Sequence, residues 1–148
     1  MRIVVSAHAL APDQELASFA RGGEAGAVAS FIGFCRAENG AVGRLELEHY
    51  PGFTEAAITR IAETALRRHG LIDLLAIHRV GAIAAGEAIV LVAASSAHRM
   101  SALSAVSEVM DYLKTEAPIW KKEVGAGRAR WVEPNVADRQ AAARWAEN

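Results

Sequence analysis

Two apolar runs, Leu74 to Val80 (LLAIHRV) and Ala88 to Ala94 (AIVLVAA), constrain the fold of this chain more than any other feature. Both read as strands, and Gly81 and Gly86-Glu87 bracket the connection between them. A helical pattern flanks the pair on each side. Thr54 can cap a helix running to about His69, with Ile58, Ile61, Ala65 and Leu66 as its apolar stripe. Arg67, Arg68 and His69 fill the last turn, where the helix dipole favours cations, and Gly70 supplies the stop. After the second strand, Ser95 or Ser96 can cap a long helix from about His98 to Thr115. Its Leu103, Val106, Met110 and Leu113 recur at helical spacing and face the core. Pro118 forbids a smooth continuation and biases Ala117 away from helix.

The N-terminal third extends the pattern. Arg2 to Ser6 reads as a strand, and Asp13 to Ala20 as a helix opened by Pro12, with Leu16 and Phe19 on one face and Gly22-Gly23 as its end. Ala27 to Phe34 is apolar enough for a buried strand. Glu38-Asn39-Gly40 signals a turn, because Asn-Gly accepts positive φ cheaply. Arg44 to Tyr50 alternates: Leu45, Leu47 and His49 point one way, and Arg44, Glu46, Glu48 and Tyr50 the other. Pro51-Gly52 breaks that strand. The tail after Val124 is polar and less regular, and 134–148 is expected to be irregular. These elements make a mixed α/β (α+β) single domain spanning 1–148, with strand order unreadable from the pattern.

With 148 residues, 52% of them hydrophobic and 22% charged, the chain can bury a core of ordinary size. A formal net charge of -1 excludes a general electrostatic attraction to nucleic acid, so any anion site must be local. Cys35 is the single cysteine, which rules out a disulfide within the chain and a CxxC metal site. No HxH or HExxH spacing supports a metal, and GxGxxG, Walker A and GxSxG patterns are absent. The early apolar run is too short for a signal peptide, and no stretch is apolar enough to span a membrane. A cytoplasmic location is expected.

Several cations stand out. His98 and Arg99 (SAHR) open the long helix, where free N–H groups and the dipole already favour an anion. Cations are disfavoured there, so their placement suggests a phosphate or carboxylate pocket; solvated side chains, or a His98 with a buried partner, would be the plainer explanation. Lys114, near the end of the same helix, is electrostatically comfortable without any function. Lys121 and Lys122 follow the Pro118 bend, where Ile119 and Trp120 can anchor the segment and aim Lys121. A lysine beside other cations in a dry site can act as base, acid or nucleophile. Arg36, at a strand end, could clamp a carboxylate or phosphate, or simply be solvated. Cys35 beside it is a reactive thiol or a small core residue, the latter being commoner.

Four segments in order, LEHYPGFTEAA, AIHRVGAIAAGEAIVLVAASSAHR, MDYLKTEAPIWKKE and RWVE, resemble the large, catalytic subunit of molybdopterin synthase, over about 27–133. The resemblance implies an α/β hammerhead-type fold with an antiparallel or mixed sheet and flanking helices. It implies a homodimer at the centre of a heterotetramer. Each large subunit would accept a small ubiquitin-like sulfur carrier whose C-terminal Gly-Gly ends in a thiocarboxylate. Two sulfurs would pass to cyclic pyranopterin monophosphate, giving the dithiolene of molybdopterin, without a metal or other cofactor. By the motifs, Lys114 and Lys121 are catalytic, and Arg36, His98 and Arg99 bind substrate. Contacts from Phe34, Cys35, Lys122 and Glu123 surround them, and RWVE places Arg130 near the site. Lys114 is expected to stabilise the thiocarboxylate or the intermediate formed from it, and Lys121 to move protons or assist leaving groups. Part of one site is expected from the neighbouring protomer. Phe34-Cys35 departs from the polar or basic residues usual there, which alters the pocket lining.

Two other readings compete. A persulfide on Cys35 would make the chain a different kind of sulfurtransferase, and Cys35→Ser would then abolish transfer. A non-catalytic module that docks a ubiquitin-like tail would bind without converting any pterin.

Overall fold

The computed structural model describes residues 1–19, 23–38 and 40–146. Its centre is the strand β6 (Ala88–Ser96), which pairs antiparallel with β4 (Asp73–Arg79) on one side and with β2 (Ala27–Phe34) on the other. β1 (Arg2–Ser6) adds parallel to β4, so the first sheet runs β1-β4-β6-β2 and is mixed. The apolar run of β6 has a direct cause: both faces of the strand are covered. Val90, Val92 and Ala94 face one core, beneath the helices α2 (Phe53–His69) and α3 (Arg99–Thr115). Leu91 and Ala93 face the other, with Leu75 and Ile77, where α1 (Pro12–Phe19) contributes Leu16 and Phe19.

A second, antiparallel sheet has the order β5-β3-β7-β8, built from β3 (Arg44–His49), β5 (Gly81–Ala84), β7 (Ile119–Gly125) and β8 (Arg128–Val132). Leu45, Leu47 and Ile83 close a smaller core with Cys35, Val42 and Val80. The two sheets and four helices form one mixed α+β domain, as the pattern of elements predicts. The last helix is α4 (Val136–Ala146).

Several expectations need correction. β2 is not buried: it is the edge of its sheet, and Val28, Phe31 and Phe34 are exposed while Ala29 alone is buried. Apolarity alone does not tell an edge strand from a central one. The cap of α2 is Gly52, with φ 81°, whose N–H donates to the Glu55 carboxylate at 2.6 Å. Thr54 lies inside the helix, fully buried; its hydroxyl accepts the Tyr50 N–H and donates to the Pro118 carbonyl, both at 3.1 Å. It therefore ties α2 to the turn entering β7. Ser95 and Ser96 end β6, and His98 is the extended N-cap of α3, without a side-chain cap bond. Leu103 is exposed, because the buried face of α3 runs through Ala102, Ala105, Val106, Val109 and Leu113. The expected irregular tail is the helix α4.

The left-handed Gly70 ends α2 as expected. Asn39, at the centre of the expected 38–40 turn, lies outside the described residues, as do Ala20 and Gly22; Glu38 and Gly40 have φ 45° and 86°. Glu108 carried no signal in the sequence reading. It is fully buried on α3, where its carboxylate meets Arg68 Nη1 at 2.5 Å and His69 Nε2 at 2.6 Å. A buried carboxylate is tolerated only when paired in this way. Among the described residues, no helix is long and apolar enough to cross a membrane.

Candidate active site

The expected site residues fall into two groups. The first gathers where β2, β7, β8 and the C-terminal end of α3 lie. β2 leaves the sheet at Phe34, and the next residue is fixed by backbone bonds: the Cys35 N–H donates to the Glu87 carbonyl at 2.9 Å, and the Gly86 N–H donates to the Cys35 carbonyl at 2.7 Å. Buried Arg79 supports the same turn, with Nη1 3.4 Å from the Glu87 carboxylate. Arg36 follows directly, its side chain 83% exposed and 3.5 Å from Glu38.

On β7 alternate residues face opposite sides of the sheet. Register puts Lys121 opposite Leu47 and Val132, and Glu123 opposite Leu45 and Arg130, on the face that carries the smaller core. There Glu123 accepts from Arg130 at 2.8 Å and lies 3.7 Å from Lys121 Nζ. The Arg130 hydrogen bond, helped by Lys121, holds the Glu123 carboxyl below its ordinary value, and the same pairing raises Arg130. Glu38 adds to the field on Arg130, so the ionic groups from Arg36 to Lys121 are electrically linked. Lys122 faces the other way, 3.5 Å from Glu46 and over the Trp131 ring at 5.6 Å. It does not join the Lys121 group. Glu46 is held below its ordinary value, chiefly by Arg44 and then by Lys122.

Lys114 closes α3, and residues 116–118 separate that helix from β7. Its Nζ lies 3.3 Å from Asp138 Oδ1 of α4. Lys114 and Lys121 thus stand on either side of one turn, whose exit is held by Thr54.

Of the two readings of Cys35, a reactive thiol or a small core residue, the structure has the core residue. Its side chain is 2% exposed, within the smaller core, and burial pushes the thiol up. Phe34 is exposed beside it.

The second group is His98 and Arg99, both exposed at the start of α3. They stand about one helix length, roughly 24 Å, from Lys114. Arg36 is also remote from them, since Ala27 pairs with Ser96 at one end of β2 and Phe34 with Ala88 at the other. One protomer does not unite the two groups. Among the described residues, no three His, Cys, Asp or Glu side chains converge as a metal site would require.

Asp138 and Glu38 are the site neighbours that sequence reasoning missed. The spacing Asn135-x-x-Asp138 is a capping-box signal that could have revealed α4 and its carboxylate.

A profile described as MoaE protein matches residues 5–116. The chain belongs to the MoaE family. Two relatives share the description molybdopterin synthase catalytic subunit. The one from Caulobacter vibrioides is 58% identical over 122 residues, covering 82% of this chain and 81% of its own. The one from Cereibacter sphaeroides is 48% identical over 146 residues, covering 98% and 100%. Among solved structures, the molybdopterin biosynthesis MoaE protein from Burkholderia ambifaria superposes with a TM-score of 0.81 at 43% identity, covering 97% of both chains. The resemblance read from LEHYPGFTEAA, SAHR and the YLK and WKK segments thus holds over nearly the whole chain.

Proposed function

We propose that this MoaE family member is the catalytic subunit of molybdopterin synthase. It transfers two sulfurs, one from each of two thiocarboxylated C-termini of the small ubiquitin-like subunit, to cyclic pyranopterin monophosphate, each terminus leaving as a carboxylate. The relatives' description as a catalytic subunit supports the presence of a second subunit. The observation that carries the reading is the cation group at the end of α3 and β7. Lys114 and Lys121 flank a fixed turn, and Arg36 and Arg130 lie on the same linked set of charges.

Both reactants are anions. A thiocarboxylate and a phosphate each gain from fixed cations; these side chains are exposed in the protomer, and the docked tail and substrate would displace water from them and strengthen the interaction. In this reading Lys114 stabilises the thiocarboxylate and the intermediate formed from it, and Lys121 moves a proton or assists the leaving group. Lysine suits these tasks because it can give up its proton and arginine cannot. His98 and Arg99, with Arg36, hold the substrate anion. Because His98 lies a helix length from Lys114, the complete site takes its SAHR group from the neighbouring protomer of a homodimer. That dimer is the core of a heterotetramer. The reaction belongs to the reducing cytoplasm.

Cys35 has no sulfur-carrying role here, since a buried neutral thiol is a poor nucleophile. The test is reconstitution with thiocarboxylated small subunit and cyclic pyranopterin monophosphate, reading dithiolene by mass. Product with the native chain and none with Lys114→Ala supports the reading. A stable complex that forms no product contradicts it and leaves only a docking module.

A further inference from the structure

We infer that Asp138 is a positioning residue for Lys114. This rests on the reading of Lys114 as catalytic. Lys114 ends a helix with its side chain 56% exposed, and a four-carbon stem in that position samples many rotamers. Among the described residues one polar contact restrains it: Nζ to Asp138 Oδ1 at 3.3 Å. The Asp138 side chain is 20% exposed, and its own place is fixed twice. Its Oδ2 accepts the Asn135 N–H at 3.2 Å, while the Asp138 N–H donates to Asn135 Oδ1 at 2.9 Å. The two residues form the reciprocal cap of α4. One carboxylate oxygen therefore holds the helix start, and the other holds the lysine.

The far end of α4 is anchored on the same stretch of α3. Trp145 Nε1 donates to Asp111 Oδ2 at 2.7 Å, Arg144 donates to the same oxygen at 2.9 Å, and Ala142 is buried between the helices. Asp111 lies one helical turn before Lys114. The helix α4 is thus braced against α3 at one end and presents Asp138 to Lys114 at the other. An ion pair this exposed contributes little to stability, so its consequence lies in where the ammonium points. When an acyl terminus arrives, the lysine is already held at the mouth of the β7 turn.

The test uses the reconstituted complex with thiocarboxylated small subunit and cyclic pyranopterin monophosphate. Asp138→Asn keeps an acceptor for the Asn135 N–H and removes the charge that holds Lys114. We expect kcat to fall roughly 3- to 10-fold with KM for the pterin unchanged, and Asp138→Glu to recover part of the loss. A readout independent of turnover is acetylation of lysines by an activated ester, followed by mass spectrometry. Lys114 labelling should rise several-fold in Asp138→Asn, with Lys121 and Lys122 as internal references. Unchanged kcat and unchanged labelling would overturn the inference. A loss of kcat that tracks a lower Tm, with labelling unchanged, would also overturn it by making Asp138 a helix cap only. Full turnover in Lys114→Ala would instead remove the reading of Lys114, and Asp138's role with it.

Discussion

Lys121, Lys122 and Glu123 are consecutive, yet they have two environments because strand geometry alternates them. Lys121 and Glu123 share the face of the smaller core, and Lys122 sits with Glu46 and Trp131 on the other. The motif assigned Lys121 and Lys122 different expected roles, but that they face opposite sides became visible only once the segment was known to be a strand. Lys121→Ala should cut turnover at least tenfold, whereas Lys122→Ala should act mainly on substrate affinity or assembly, as separate kcat and KM measurements would show. Cys35→Ser should keep most of the turnover and lower stability by about 1–2 kcal/mol, read by denaturant titration, since it places a hydroxyl in an apolar site. Glu123 carries the clearest pH consequence. Its folded pKa is depressed below 4.5, chiefly by Arg130. The stability it contributes is therefore complete above the unfolded value and is lost as pH falls through the lower folded one. A carbon-detected titration should find the Glu123 midpoint below that of an ordinary glutamate, and Arg130→Ala should move it back up.

Among the elements, the first three helices and the two central strands were legible because their periodicity is set by burial. β6 is covered on both faces, so its apolar run is continuous, and α2 ends where Gly70 turns left-handed. Features set by neighbours far along the chain were not legible. β2 reads as buried but is a largely exposed edge, and Thr54 reads as a cap but serves as a tie to Pro118. α4 was missed because its sequence is polar and alanine-rich, with one buried residue, Ala142. Its packing depends on Arg144 and Trp145 meeting Asp111 on α3. The same α2–α3 junction holds Glu108, with His69 also stacked edge-on against Trp145 at 6.0 Å. Glu108→Ala would leave Arg68 and His69 without their partner and should cost about 2–4 kcal/mol. Thermal unfolding should show this as a lower Tm, with hydrogen exchange rising first in α4 and the end of α2.

On the scale of the whole molecule, the proposed mechanism makes one protomer an incomplete catalyst. Its fold sends Lys114, Lys121, Arg36 and Arg130 to one end of the first sheet, and His98 and Arg99 to the other. The length of α3 enforces this separation, and no side-chain rearrangement can cancel roughly 24 Å. The proposed homodimer would resolve it by placing the start of one α3 beside the end of another, as an isologous arrangement permits. The sequence named the residues of both groups through its motifs but could not show that they stand apart.

The most direct measurement is therefore complementation between two inactive variants. Lys114→Ala and the double variant His98→Ala/Arg99→Ala would be unfolded together, refolded as mixed dimers, and assayed for dithiolene with thiocarboxylated small subunit. If each site draws on two protomers, mixed dimers carry one intact site, and activity should return to about a quarter of the native value. If each protomer holds its own complete site, every site in the mixture keeps a defect, and activity would stay at the level of the separate variants.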